Sequence, residues 1–233
     1  MVVKVGHRGA AGHEPENTLR SFRRAMELGA DMVELDVHIC GSGELVVIHD
    51  ETVDRTTDGT GEVSKMTLDE LRALDAGRGE RIPTLQEVID LATDRMGINI
   101  ELKGLGTAGP ALEHIEGAVD EGWEISGFQV SSFHLEELLA IRDLSEDVRT
   151  GVLFALDDGG IMDFAERNGA YSLSPNHRTV TPDLVARAHE RGLKIFAWTV
   201  NEPEDIARMT ELGVDGIISD YPDRIDGTHE HSQ

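Results

Sequence analysis

Short apolar runs alternate with longer segments whose apolar residues recur at near-helical spacing, almost from end to end. "VVKVG" at 2–6 reads as a strand. Behind it, "NTLRSFRRAMELGA" sets Leu19, Phe22, Ala25, Met26 and Leu28 on one helical face. Thr18 suits the N-cap of that helix and Gly29 its end. Strand-like runs recur at 31–39, 97–102, 127–132, 149–156, 170–175, 194–200 and 214–220. Helical patterns separate them: "TLQEVIDLATDRM", a segment from about Pro110, "FHLEELLAIRDL", "IMDFAERNG", "TPDLVARAHERG" and "EPEDIARMTELG". Strand–helix alternation argues for a parallel sheet with helical crossovers. Eight such units in 233 residues point to a closed (β/α)8 TIM barrel, with an open doubly wound sheet as the competing architecture.

One stretch breaks the rhythm. "ICGSGELVVIHD" follows the second strand with no helix between. Gly41-Ser42-Gly43 suits a tight turn, so "ELVVIHD" is expected to return antiparallel as a hairpin. Residues 51–81 are polar and glycine-rich, with one short helix near "TLDELRALD", and read as an insertion after the second strand. The expected organisation is a single barrel domain over 1–226 with a flexible polar tail at 227–233.

The second strand poses the chemical question. In "VELDVH", Val33, Leu35 and Val37 fall on one face and Glu34, Asp36 and His38 on the other. Barrel enzymes work at the C-terminal ends of their strands. There the sequence delivers His7-Arg8-Gly9, then Glu34 and Asp36, His49-Asp50, Glu101 and Lys103, Ser131-Ser132, and Trp198 with Asn201 close behind. Three carboxylates packed together would repel and raise one another's pKa. One hard divalent cation removes that cost, and oxygen-only ligands favour Mg2+ or Ca2+, so Glu34, Asp36 and Glu101 are the expected ligands. His7 and His49, each just past an apolar run, suit general acid–base catalysis. Arg8 and Lys103 add cations that suit an anionic, phosphate-bearing substrate. "GTGEVSK" at 59–65 has neither the spacing nor the preceding strand of a phosphate loop and is rejected.

Composition narrows the setting. Twenty-one basic residues face 45 acidic ones, a net charge of −24, and only Lys4, Lys65, Lys103 and Lys194 are lysine. That balance disfavours nucleic acid as a partner. It fits a halophile-like surface that needs salt to screen its self-repulsion, the plainer alternative being an ordinary acidic protein. Cys40 is the single cysteine, so no intramolecular disulfide can form. There is neither a signal-like start nor an apolar run long enough to span a membrane, so a cytoplasmic location without stable membrane insertion is expected. The pattern leaves the oligomeric state open.

From about Val5 to Ile225 the chain resembles the glycerophosphodiester phosphodiesterase family. The resemblance is carried by "HRGAAGHEPENTLRSF", "GADMVELDVHICGSGELVVIHDETVDRTTDGTGEV", "IPTLQEVID", "INIELKG", "VSSF" and "FAWTVNEPEDIARMTELGVDGIISDYPD", in order and at family spacing. It implies a TIM barrel with a small insertion after the second strand, and hydrolysis of a small-molecule phosphodiester to glycerol phosphate and an alcohol. It matches Glu34, Asp36 and Glu101 to metal ligands and His7 and His49 to the acid–base pair. Arg8 and Lys103 match phosphate-facing cations. Glu16 and Asn17 match residues that line or brace the site, and Trp198 the aromatic on the glycerol side. The related phospholipases attack phosphorus with the substrate's own 2-hydroxyl, and the same cyclic phosphate route is implied here. The sequence does not say which histidine is acid and which is base, and His38 stays undecided. "CGSGE" at 40–44 stands where the family usually has a lysine-bearing turn, which affects surface charge rather than the site.

Two other functions compete. A lysophospholipase D-like or cyclising phospholipase would want an apolar patch at the barrel mouth, and the sequence shows no evident membrane-docking stretch. A non-catalytic phosphodiester-binding barrel would not need both histidines. "HEH" at 229–231 resembles a metal ligand cluster, but loose histidines in a tail are not expected to bind one.

Overall fold

The computed structural model describes residues 1–93, 95–156 and 159–229, with backbone alone at 226–229. Eight parallel strands close a barrel: β1 (Val3–Gly6), β2 (Met32–Ile39), β4 (Gly97–Leu102), β5 (Phe128–Ser132), β6 (Arg149–Phe154), β7 (Ser172–Pro175), β8 (Lys194–Ala197) and β9 (Gly216–Ser219). β1 pairs with both β9 and β2, which seals the ring and excludes the open sheet. The hairpin is present as β3 (Leu45–Val47), antiparallel to β2 with Val37 opposite Val47. Gly43, at φ 105°, makes its turn.

Helices α1 (Leu19–Glu27), α3 (Leu85–Ala92), α4 (Ala108–Asp120), α5 (Leu135–Leu144), α6 (Ile161–Arg167), α7 (Pro182–Glu190) and α8 (Pro203–Leu212) cover the outside, and α2 (Leu68–Arg72) lies in the insertion. Local chemistry sets their ends. The Thr18 hydroxyl accepts from the Ser21 N–H at the start of α1. At its end Gly29, in the left-handed region, lets its own N–H and that of Ala30 return to the Met26 and Ala25 carbonyls. α4 starts two residues before Pro110 because a carboxylate from another helix caps it. The buried Glu137 of α5 accepts from the Gly106 and Ala108 N–H groups at 2.6 and 2.8 Å. A contact made across tertiary structure leaves no local mark in the sequence.

The main core lies between barrel and helices. Val33, Leu35 and Val37 are fully buried there with Phe22 and Ala25 of α1 and Leu85, Val88 and Ile89 of α3. The barrel interior is partly polar. The Gln129 amide donates to the Ser172 hydroxyl at 3.2 Å, across the strand between them. Gly151 occupies that strand, and a Cβ there would meet both atoms at 2.8 Å. The stretch after β3 carries its own small core of Cys40, Val46, Ile48, Val53, Val63, Leu71, Ala76 and Ile82, with β3 as floor. At the far end a 3-10 helix runs from Pro222 to His229. Within the "HEH" stretch, residues 230 and 231 lie outside the described residues.

Candidate active site

Alternation along β2 does what the pattern requires: while its valines and leucine face the helices, Glu34 and Asp36 face the barrel interior and are 3% and 1% exposed. β4 pairs with β2 so that Glu101 stands opposite Asp36. One oxygen from each of Glu34, Asp36 and Glu101 lies within 4.8 Å of the others. Burial pushes the Glu34 carboxyl up to about 8, and the charge of Asp36 adds to the rise against the opposing charge of His7. Glu101 is raised by the same causes, burial first and Asp36 next. Buried Glu34 Oε1 and Asp36 Oδ1 have no hydrogen-bond partner in the protein. Close, desolvated, all-oxygen and partly unpartnered, the donor set fits a hard divalent cation.

The β1 loop brings His7 and Arg8 over this cluster. Arg8 adopts φ 50°, an uncommon conformation for a residue with a side chain, which turns its N–H onto Glu34 Oε2 at 3.0 Å. Gly9 lets the loop lie against α1, since a Cβ there would sit 2.4 Å from the Ser21 hydroxyl. His7 Nδ1 is 2.6 Å from Asp220 Oδ1, and its Nε2 is 3.9 Å from Glu34 Oε2. Burial opposes a proton on His7, but the Asp220 hydrogen bond and the Glu34 charge raise its pKa above the usual value. Asp220 is itself held by the Asn201 amide at 2.6 Å. Against the opposing effect of burial, the His7 hydrogen bond draws its pKa down.

The second histidine is built in the same way. His49 Nδ1 lies 2.6 Å from Asp50 Oδ1, and the Lys103 ammonium lies 3.1 Å from His49 Nε2. An ammonium has donors only, so Nε2 accepts and Nδ1 carries the hydrogen, donated to Asp50. Burial holds the His49 pKa below its usual value despite the charges of Asp36 and Asp50. Lys103 also pairs with Glu101 at 3.0 Å.

A chain of alternating charges frames the mouth. Arg55, in the insertion, donates to both Glu16 oxygens at 2.8 and 2.9 Å and to both Asp50 oxygens at 2.6 and 3.1 Å. Glu16 reaches on to Arg8 at 2.8 Å. Burial would raise the Glu16 pKa, but Arg55 and Arg8 bring it down to about 2. The Asn17 amide donates to Asp36 Oδ2 at 2.9 Å. Glu16 thus holds Arg8, and Asn17 holds Asp36. His38 meets the His49 carbonyl with Nε2 at 3.0 Å and so supports the backbone of the second histidine.

A cavity of about 90 Å3 opens between these groups, lined by His7, Arg8, Glu34, His49, Asn99, Glu101, Lys103, Ser131, Phe133, Leu153, Trp198, Thr199 and Ile218. Trp198 donates from Nε1 to the Ser174 carbonyl at 2.7 Å and takes Phe133 edge-on, with ring centroids 5.6 Å apart. Of the residues expected at the site, His7, Arg8, Glu34, His49, Glu101, Lys103 and Trp198 line this cavity, while Asp36, Glu16 and Asn17 lie outside its wall. Sequence reasoning missed Asp220 and Arg55, and it noted Asp50 and Asn201 at strand ends without giving them a role. Signals were present: Asp220 follows the strand next to β1, and Asp50 adjoins His49.

A (β/α)8 barrel with a carboxylate triad, two carboxylate-held histidines and two cations at one mouth has the equipment of a phosphoric ester hydrolase. Comparison with known proteins makes this specific. The model of the glycerophosphoryl diester phosphodiesterase family matches residues 7–224. A glycerophosphodiester phosphodiesterase of Caldanaerobacter subterraneus is 42% identical over 231 residues, 95% of each chain. A putative one of Bacillus subtilis is 38% identical, covering 97% of this chain and 98% of its own. The structure of an Oleispira antarctica phosphodiesterase in complex with the product sn-glycerol-3-phosphate superposes with TM-score 0.88 at 30% identity, covering 96% of this chain and 94% of that one. The chain belongs to the glycerophosphoryl diester phosphodiesterase family, and it is a phosphoric diester hydrolase. Among the described residues no helix is long and apolar enough to cross a membrane.

Proposed function

We propose that the protein hydrolyses glycerophosphodiesters to glycerol phosphate and an alcohol, with one divalent cation, Mg2+ or Ca2+, and two histidines of distinct role. The observation that carries this reading is the meeting of the three carboxylates with two histidines whose outer nitrogens are each fixed by a carboxylate. Glu34, Asp36 and Glu101 would hold the cation, which supplies Lewis-acid stabilisation of charge on the phosphoryl oxygens. Arg8 and Lys103 add fixed positive charge beside the same group.

The hydrogen bonds support distinct roles for the two histidines. His49 is the base, because its Nε2 lone pair is free of a proton and points at the Lys103 donor. His7 is the acid, because Asp220 and Glu34 favour its protonated form. His49 takes the proton of the glycerol 2-hydroxyl as that oxygen attacks phosphorus, and His7 protonates the departing alcohol. Attack from within the substrate makes the step effectively unimolecular. Water then opens the cyclic phosphate with the two roles reversed. The product in the Oleispira structure is consistent with this outcome. A soluble, cytoplasmic setting and a barrel domain over 1–226 complete the proposal.

The test is glycerol phosphate release from glycerophosphocholine with Mg2+ or Ca2+. His49→Ala is expected to abolish it. Retained turnover in that variant would overturn the mechanism.

A further inference from the structure

Away from the catalytic mouth, a groove of about 280 Å3 opens between α1, α3 and the end of the insertion. None of its lining residues lines the catalytic cavity. Its apolar lining is Leu19, Ile82 and Pro83, the last two buried. Three arginines stand around it: Arg23 on α1, Arg72 at the end of α2, and Arg81 shortly before α3. Leu19 and Arg23 are four residues apart and so share one face of α1. Three guanidiniums at one groove are unexpected in a chain with 45 acidic residues against 21 basic ones. Elsewhere its arginines are drawn to carboxylates, as Arg20 is to Glu14 and Arg191 to Asp163. Arg23 and Arg81 are exposed, and among the described residues their side chains make no hydrogen bond, ion pair or ring contact. The carboxylates at the groove do not cancel them. Glu87 is engaged at both oxygens, Oε1 by Arg72 at 2.8 Å and Oε2 by the Thr84 N–H at 2.9 Å. The charge of Glu80 acts on Arg20, which Glu14 already holds. Two uncommitted guanidiniums therefore meet at most one uncommitted carboxylate.

We propose that this groove is a second ligand site, one that binds a small multivalent phosphate anion through Arg23 and Arg81. Guanidinium forks match phosphate oxygens in bidentate fashion. More than one phosphate is required. The net charge of −24 repels any anion at a distance, so close contacts from two separate elements must outweigh that field. The volume lies just under the roughly 300 Å3 at which small-molecule pockets begin, which suits a small molecule and not a polymer. A nucleic acid is excluded by the same net charge. Because both guanidiniums are unpaired, exchanging them for glutamine removes no contact of the folded chain.

The experiment is isothermal titration calorimetry at fixed KCl, on protein stripped of divalent cations with a chelating resin. Inorganic pyrophosphate, fructose 1,6-bisphosphate and inorganic phosphate are the probes. The parent is compared with Arg23→Gln/Arg81→Gln and with Lys103→Ala, which weakens anion binding in the catalytic cavity alone. A thermal melt checks that each variant is folded. A two-phosphate probe is expected to bind the parent and Lys103→Ala with the same Kd, and the arginine variant at least about tenfold more weakly. Glycerophosphocholine kinetics of the arginine variant, measured without probe, are expected to match the parent. Tighter binding of the sugar bisphosphate assigns the site to organic phosphates, and tighter binding of pyrophosphate to inorganic ones. No binding to the parent, equal binding to the arginine variant, or binding lost in Lys103→Ala overturns the inference. Inorganic phosphate binding as tightly as the two-phosphate probes also overturns it, as does impaired turnover in the arginine variant. None of these results bears on the hydrolase reading, which rests on other residues.

Discussion

Replacing Glu34 by glutamine separates a catalytic carboxylate cluster from a structural one, because the two give opposite signs. In the metal-free protein, burial and Asp36 hold the Glu34 carboxyl at about 8, against an ordinary 4.5. Between those values the folded chain keeps a proton that the unfolded chain has released. Folding stability therefore falls as pH rises through that window. A window of about 3.5 pH units at about 1.4 kcal/mol each sets a ceiling near 5 kcal/mol, and relaxation of the site brings the expected cost to about 2–4 kcal/mol. The substituted amide never ionises, and its oxygen can still accept from the Arg8 N–H. In chelator and molar KCl, urea unfolding followed by tryptophan fluorescence should show Glu34→Gln to be the more stable protein by that amount at pH 8.5. The two should be nearly equal at pH 5. Adding Mg2+ or Ca2+ at about a thousandfold excess over Kd should cancel or reverse the order, since the parent then gains about 4.1 kcal/mol of binding energy that a variant lacking one ligand does not. A variant less stable than the parent in chelator at pH 8.5, or a difference independent of pH, would refute the reasoning.

Other consequences follow from the same contacts. Asp220→Asn removes the carboxylate that raises the His7 pKa, so the alkaline limb of the pH–rate profile should move to lower pH, with kcat down about 10–100-fold; an unshifted limb would contradict the acid assignment. Arg55→Ala breaks the links to Asp50 and Glu16 and should lower kcat more than it changes KM. Arg55→Lys should rescue little, because one ammonium cannot hold both carboxylates bidentately. Steady-state kinetics of both variants check this. With 45 acidic residues against 21 basic, the melting temperature should fall sharply between molar and millimolar KCl; an unchanged melt would remove the halophile reading.

The sequence made much of this legible because barrel geometry converts local pattern into position. Alternation in "VELDVH" separates Val33, Leu35 and Val37 from Glu34 and Asp36, and the strand-end rule gathers His7, His49 and Glu101 at the same mouth. It could not show what depends on closure of the ring. The Asp220–His7 contact joins residues 213 apart in sequence through the β9–β1 pairing. The start of α4 depended on Glu137 from another helix. His38 shares a strand face with Glu34 and Asp36 yet serves the His49 backbone, because β3 folds back beside it.

The central claim is divalent-cation-dependent cleavage with glycerol phosphate as product. Phosphorus NMR of glycerophosphocholine turnover, before and after chelation and then with Mg2+ or Ca2+ restored, tests it most directly. The account predicts a glycerol phosphate signal that stops with chelator and returns with the ion, preceded by a transient cyclic phosphate. Turnover that continues undiminished in chelator, or a product other than glycerol phosphate, would contradict it.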